Sequence, residues 1–436
     1  MMNNRRAFLQ KLGAWAAIAS YWTDNPNFGS VASFATEADK SAADLFRLGF
    51  KPHFVKQGDG KGGWIEKAAE IQYLCYGKPV PYSEVKGDGT MLFGVAQMDN
   101  GEVIAIGTWD SDEKVHTSQI VRQKPIVAFS RDHGATWTDF TPIEGGNGRP
   151  MMLTYLGKGN LMFQTDLVDS IMQYFSHDYG RTWPERQPLQ PTRDGNPFFS
   201  EGNALVDRDA HGAATRIAQL GGHTQTKGPL KWPQAPTEEF IRWSDDGGRT
   251  WTDESSPSAW RTTEEYQGKT YVRGCSEGSL VRAANGWLVA ALRTDMDAQF
   301  FPLRSDNLEG IGVSVSKDNG KTWTPVHRLY HTGRMHAHLI LLPNRDILLT
   351  HIERQDIDDG RLASYRRGCG AVISHDNGLT WDMAHRYILD GFDFSDNTPM
   401  ALACGHQYST LLSDGRTLTC YSNYTTKCGV IIRWQP

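Results

Sequence analysis

The chain is written in short apolar runs separated by polar turns, and the same order recurs along most of its length. A run such as Val103-Ile104-Ala105-Ile106 is too short for a core helix and is rich in β-branched residues, which reads as a buried strand. From about Lys67 the order is strand, turn, strand, strand, a polar octapeptide, strand. Three strands precede each octapeptide: 91–98, 102–109 and 125–130; 151–156, 160–166 and 172–176; 203–207, 214–220 and 239–244; 279–283, 286–293 and 312–316; 337–343, 346–354 and 370–374. A sixth unit, 408–413, 416–424 and 429–434, has no octapeptide and no fourth strand.

The octapeptide is Ser-x-Asp-x-Gly-x-Thr-Trp, and it occurs five times, starting at Ser130, Ser176, Ser244, Ser316 and Ser374. Each copy carries the chemistry of a tight turn between two strands. The Asp carboxylate accepts from backbone N–H groups of its own turn, and the Gly supplies a left-handed backbone. The Thr adds local hydrogen bonds, and the Trp is expected to start the next strand and plug the gap to a neighbouring sheet. Starts are 46, 68, 72 and 58 residues apart, long for one four-stranded unit. The surplus falls in the connections ahead of the third strands, where binding insertions are carried.

Repeated four-stranded sheets with two apolar faces bury those faces only by closing a ring, so the fold class is all-β, a β-propeller. Six blades can be counted, and a seventh has room in 251–279 or could be shared with 45–70. The last unit lacks its fourth strand, and Glu70 to Tyr76 is suited to supply it and close the ring from the N-terminal side.

Composition narrows the reading. The chain has 436 residues, 14 Trp, 44 Gly and a net charge of −5. No basic run is present, so nucleic acid is not an expected partner, and no apolar run is long enough to span a bilayer. Arg5-Arg6 followed by Phe8-Leu9 and a modest apolar segment resembles a twin-arginine export leader over residues 1–38, leaving 39–436 as one propeller domain, exported to the periplasm, cell surface or medium. Six cysteines suit an oxidising compartment without forming a scaffold. Cys420 and Cys428 fall on adjacent strands and could pair. Cys404-Gly405-His406 is at most half of a zinc site, so no cofactor is expected and a structural calcium or zinc ion stays open. The chain is expected to be a monomer.

The repeated octapeptides resemble the Asp-boxes of the sialidase superfamily, over residues 70–436. That resemblance implies a sialidase-like propeller and points to particular residues. Glu277-Gly278-Ser279, followed by Arg293, is similar to the glutamate–arginine pair of sialidases. Tyr408-Ser409-Thr410-Leu411 is similar to the segment bearing their tyrosine nucleophile. Their first arginine is absent here: Gly89 to Val95 stands in its place, and Asp110 or Asp112 is the candidate acid. A second resemblance is to the propeller ulvan and rhamnose–glucuronate lyases, for which the comparable series is Asn203, His223, Tyr266 and Arg282, with Asn203 in place of a histidine. A third is to the propeller α-L-rhamnosidases, whose working histidine would fall at His53. Arg334, His336 and His338 open the fifth unit, with alternation sending both histidines to one face. Arg282, Arg293 and Arg334 together suit an acidic sugar, because guanidinium reads carboxylates in pairs of hydrogen bonds.

These resemblances imply an exported enzyme removing a terminal sugar from an acidic glycan, first of all an α-L-rhamnosidase acting on rhamnose linked to glucuronate. A rhamnose–glucuronate lyase, an exo-α-sialidase and a non-catalytic glycan-binding propeller remain as alternatives.

Overall fold

A computed structural model describes residues 50–74, 90–109, 123–167, 169–224, 236–295, 309–358, 361–394, 403–423 and 428–436. The leader expected at 1–38 lies outside these residues. So do the cores of the long connections ahead of the third strands, 110–122, 225–235 and 296–308.

Among the described residues six units of four antiparallel strands can be followed in chain order as blades I to VI, four of them separate sheets and the last two parts of one larger sheet. Their innermost strands are Thr90–Gln97, Arg149–Gly157, Leu205–Arg208, Cys275–Arg282, Arg334–Leu341 and Cys404–Leu411. Segment 251–279 adds no further blade. It holds the outer strand Thr252–Ser255 of blade III, a two-stranded hairpin, Thr262–Tyr266 with Lys269–Arg273, and the start of blade IV. No described helix is long and apolar enough to cross a membrane.

The N-terminal strand closes the ring as expected, and it does more. Trp64–Leu74 pairs with Cys428–Trp434 as the fourth strand of blade VI, Ile71 facing Ile432. The preceding strand, Lys51–Gly58, folds back on it and also pairs through Lys56 and Gln57 with Ile388 and Tyr387 of blade V. Blades V and VI are thereby joined into one nine-stranded sheet.

The core is partitioned in a way that only a closed ring produces. Six apolar clusters are present, and each draws on two neighbouring blades. Leu92 and Phe93 of blade I pack with Leu418 and Ile431 of blade VI, so the circuit has no open end. The second and third strands of the blades, such as Leu288–Thr294 and Gly310–Ser316, are buried on both faces, which is why they read as continuous apolar runs, whereas outer strands such as Glu185–Pro188 and Thr252–Ser255 are largely exposed.

The five octapeptides form one repeated turn. In the copy at 130–137, Ser130 Oγ donates to Asp132 (2.9 Å) and accepts from the Gly134 amide (2.7 Å). Asp132 in turn accepts from the Thr136 amide (2.8 Å) and hydroxyl (2.6 Å). The residue before each Gly is left-handed as well, for example His133 and Tyr179. The Trp lies just ahead of the fourth strand rather than in it: Trp137 precedes Thr141–Pro142, and Trp183 precedes Glu185–Pro188. Each Trp wedges against the preceding blade, Trp183 into the cluster shared by blades I and II. Box arginines bridge the same seams: Arg181 reaches Glu102 (2.6 Å), and Arg249 reaches Glu185 (2.8 Å).

One cysteine expectation is corrected. Cys420 is a buried free thiol, whereas Cys428 is disulfide-bonded, so 420 and 428 do not pair. Their strands are adjacent, but Cys420 stands opposite Ile431 and Cys428 opposite Asn423.

Gly180 joins turn and seam. Its φ is 82°, and a Cβ there would sit 2.5 Å from Ile104 Cδ1 of blade I. Gly180→Ala is expected to destabilise the fold by about 1–3 kcal/mol, since it adds backbone strain to an overpacked seam. Denaturant unfolding measures it, and an unchanged midpoint would break the link between turn and seam.

Candidate active site at one end of the ring axis

The inner strands do not run straight. Five carry a register shift near their N-terminal end, for example between Ser276 and Ser279, Met335 and His338, and Gly405 and Tyr408. At four of these bulges one residue takes a left-handed backbone without being glycine: Met152 (φ 53°), Glu277 (49°), His336 (49°) and His406 (52°). A bulge re-aims a side chain, and left-handed non-glycine residues gather where such aiming serves a function. In blade III, Glu201-Gly202-Asn203 repeats the spacing of Glu277-Gly278-Ser279. Gly202 and Gly278 meet so closely that no Cβ fits at Gly202.

These bulges bring together residues from separate blades. His336 Nδ1 lies 3.3 Å from Glu201 Oε2 and 3.6 Å from Glu277 Oε2. The His336 and His406 rings are 5.1 Å apart, and Phe93 stands 4.3 Å from His406. Glu201, His336 and His406 keep 7–8% of their surface exposed, Glu277 only 3%.

Around this centre the charged groups are interlocked. Arg293 donates from Nε to Asp295 (2.7 Å) and Ser276 (2.9 Å), and from Nη1 to Glu277. Asp295 also accepts from the Thr237 hydroxyl. Glu239 accepts from the Gly278 amide (3.0 Å), holding the bulge that carries Glu277, and meets His223 Nδ1 at 3.3 Å. Arg149 pairs with Asp166 (3.1 Å). Arg334 lies 3.6 Å from Glu353 and 3.4 Å from Asp356.

Arg354 sets the chemistry of His336. Its Nε donates to the Cys404 carbonyl (3.0 Å), and its Nη2 lies 3.3 Å from His336 Nε2. A guanidinium only donates, so Nε2 must accept and the ring proton sits on Nδ1, facing both carboxylates. Glu201, Glu277 and His336 are close enough for their donor atoms to surround a cation, all within 4.8 Å of one another. With the proton on Nδ1, however, the lone pair a metal needs is taken, and the cluster reads as a proton network. Cys404 does not complete a zinc site with His406: its thiol turns to the carbonyls of Glu353 and Gly368.

Burial tunes these groups unequally. Glu201 is held below the usual carboxylate range: burial would raise it, but the hydrogen bond and charge of His336, with His406 and Arg149, prevail. Burial pushes His406 well below the usual imidazole range. Burial raises Tyr408 well above the usual phenol range, and the charges of Glu201 and Glu277 act in the same direction. His223 goes up despite its burial, because Glu239 holds its proton.

The structure sorts the sequence candidates. Glu277, Arg293 and His336 belong to the cluster, and Tyr408, Arg334 and His223 border it. His338 does not share a face with His336, because the bulge between them breaks the alternation; it turns to blade VI, where its Nδ1 accepts from the Ser409 amide (3.3 Å). His338 and Asn203 line the axial cavity of about 460 Å³ on the other side of the bulges. Arg282 is committed to a seam, gripping Asp207 at 2.6 and 2.7 Å. His53 lies on the outermost strand, 2.7 Å from the Leu389 carbonyl. The backbone of Tyr266 ends the hairpin between blades III and IV. Asp110 and Asp112 lie outside the described residues.

Glu201, Asp295 and Arg354 were missed. Glu201 did carry a signal, the Glu-Gly-Asn that matches Glu-Gly-Ser one blade later.

No family model and no curated relative matches this chain. Among solved structures, the fold is similar to a protein of unknown function from Dyadobacter fermentans DSM 18053, at 16% identity over 84% of this chain and 99% of that one, with a TM-score of 0.55. It is also similar to the Hadza microbial sialidase Hz136, at 17% identity over 80% of this chain and 66% of that one, with a TM-score of 0.53. These likenesses establish the class of fold: a sialidase-like β-propeller.

Burial holds His338 at about 4, so the folded chain leaves it neutral where the unfolded chain, near 6.5, takes up a proton. Stability from this group is therefore complete above pH 6.5 and is lost as pH falls towards 4, by about 3 kcal/mol in all. Unfolding free energies across that window should fall less steeply for His338→Asn than for the wild type. Parallel slopes would show that His338 is not the group responsible.

Proposed function

We propose that this protein is a glycoside-processing enzyme that works at the bulged end of its ring axis. Glu201 and Glu277 form the carboxylate pair, and His336 carries a proton between them. The observation behind this is the placement of the three donor atoms within 4.8 Å of one another, from three separate blades, Glu277 and His336 on bulged inner strands and Glu201 just ahead of the inner strand of blade III. Two carboxylates that close leave no room for a water between them. Retaining glycosidases hold their pair at about 5–5.5 Å, inverting ones further apart. Glu201, kept ionised, is suited to attack the anomeric carbon or to stabilise its developing charge. Glu277, in its protonated form, is suited to protonate the leaving oxygen and, once ionised, to activate water, while the Nδ1–H of His336 donates a hydrogen bond to the carboxylate pair. Tyr408, neutral and next to these carboxylates, is suited to orient the sugar.

The finer form of the proposal is the α-L-rhamnosidase, and an α-L-rhamnoside is the first substrate to try. A sialoside and an assay for unsaturated uronate products test the sialidase and lyase readings beside it. Export through the Arg5-Arg6 leader belongs to the same proposal.

On whichever glycoside is cleaved, Glu277→Gln and Glu201→Gln should each lower kcat by about 10²–10⁴-fold, with unfolding midpoints recorded alongside. Proton NMR of the first-formed sugar should show retained anomeric configuration. A folded Glu277→Gln with full turnover, or clean inversion, would end this assignment.

A further inference from the structure

The cavity on the other side of the bulges has a character of its own. Its volume of about 460 Å³ is that of a small-molecule site, and inner-strand segments of all six blades line it. Leu153, Leu205, Leu280 and Leu339 give it apolar walls, and no carboxylate is among its lining residues. Blade III supplies two polar groups to it, Asn203 and Arg208. In blades II, IV and V, the side chain two residues beyond the left-handed Met152, Glu277 or His336 accepts an amide from the next blade. Thr154 Oγ1 accepts from Ala204 (3.1 Å), Ser279 Oγ from Leu339 (3.0 Å) and His338 Nδ1 from Ser409 (3.3 Å). Asn203 holds the same place after Glu201-Gly202, yet its half-buried carboxamide makes no hydrogen bond among the described residues, and its Oδ1 is buried without a partner. Arg208 stands exposed at the end of the inner strand Leu205–Arg208 and is the one permanently charged side chain among the described lining residues. It donates from Nη1 to the Gly212 carbonyl (3.1 Å) and from Nη2 to the Tyr155 carbonyl (2.5 Å), over the Tyr155 ring. Asp99 acts on it only from beyond ion-pair distance and accepts instead from the Lys158 amide (2.9 Å).

We propose that this cavity is a second ligand site, taking a small hydroxylated carboxylic acid of about monosaccharide size. Its carboxylate rests on Arg208, its hydroxyls meet Asn203, and its carbon skeleton lies on the leucines. The two carbonyls occupy two of the five N–H donors of Arg208, which leaves enough of the fork for both oxygens of a carboxylate. A carboxamide both donates and accepts, and a ligand hydroxyl does the same, so one hydroxyl relieves the unpaired Oδ1 of Asn203. A neutral sugar would leave the guanidinium with carbonyls alone, and an aliphatic acid would leave the carboxamide unanswered. The proposal concerns the end of the axis away from Glu201 and Glu277, and it stands whether or not glycosides are cleaved there.

The test is equilibrium binding to the full chain, followed by ligand-observed NMR at low and high ionic strength. The probes are D-galacturonate, D-galactose and hexanoate: the first two share a ring and differ in the carboxylate, and the third has the charge without the hydroxyls. The expected result is that galacturonate binds at least about tenfold more tightly than either of the others at low salt, and that added salt weakens it by screening the attraction to Arg208. Arg208→Gln should lower galacturonate affinity by about tenfold or more and bring it down to that of galactose. Asn203→Ala should weaken galacturonate and leave hexanoate as it was. Unfolding midpoints accompany both variants; should Arg208→Gln lower its midpoint, Asn203→Ala and the salt dependence of the wild type decide. Equal binding of galacturonate and galactose, hexanoate binding as tightly as galacturonate, binding of none of the three, or a folded Arg208→Gln with unchanged galacturonate affinity overturns the proposal. The assignment of the bulged end fails separately, through Glu277→Gln with full turnover.

Discussion

Two-sided burial is the constraint on which everything else in this molecule depends. Each blade is a small antiparallel sheet whose central strands are apolar on both faces, and such a sheet is stable only when both faces are covered. A row of blades would leave its first and last faces in water. Closing the row into a ring removes both, and the six apolar clusters, each shared by two neighbours, show that the closure is complete. Joining Trp64–Leu74 to Cys428–Trp434 in blade VI makes the ring a single structural unit. The first described hairpin, by pairing with blade V as well, fastens the seam on its other side.

Closure creates the axis, and bulges put chemistry on it. An unbroken strand would send alternate residues into the seams on either side, which hold apolar groups and ion pairs between blades. A local shift of register, with one residue left-handed, turns Glu277, His336 and His406 towards a common centre. That conformation costs of order 1–3 kcal/mol at each such residue and persists because neighbouring blades over-determine it. Glu239, anchored on the Gly278 amide, is one such restraint. Burial then makes each charge depend on its partners. A carboxylate or guanidinium without an answer would be costly here, and the network is accordingly dense.

The fold was largely legible in the sequence, because its determinants are local. A Ser-x-Asp-x-Gly-x-Thr-Trp turn satisfies itself within eight residues, and apolar runs of strand length announce a buried sheet wherever they occur. Even the closing strand could be read, since a last unit lacking a partner needs one and Glu70 to Tyr76 has the right pattern. The site was legible only in part. Glu277 and Arg293 stood out by resemblance, and His336 by its place at the opening of a unit. Arg282 has the same chemistry as Arg293, yet it serves a seam, because Asp207 of blade III meets it there. The alternation that joins His336 to His338 on paper is broken by the bulge between them.

What the amino-acid sequence determined by itself was the kind of object: repeated corners, apolar strands and an incomplete last unit admit a ring and little else. What only the tertiary structure decided was which polar side chains share a centre and which charges remain after pairing. The reason is physical. Turn chemistry and strand burial act over a few residues, whereas Glu201, Glu277 and His336 lie on different blades and meet only because the ring closes. Whether an arginine is available to a ligand or committed to a neighbour depends on contacts made across that same distance.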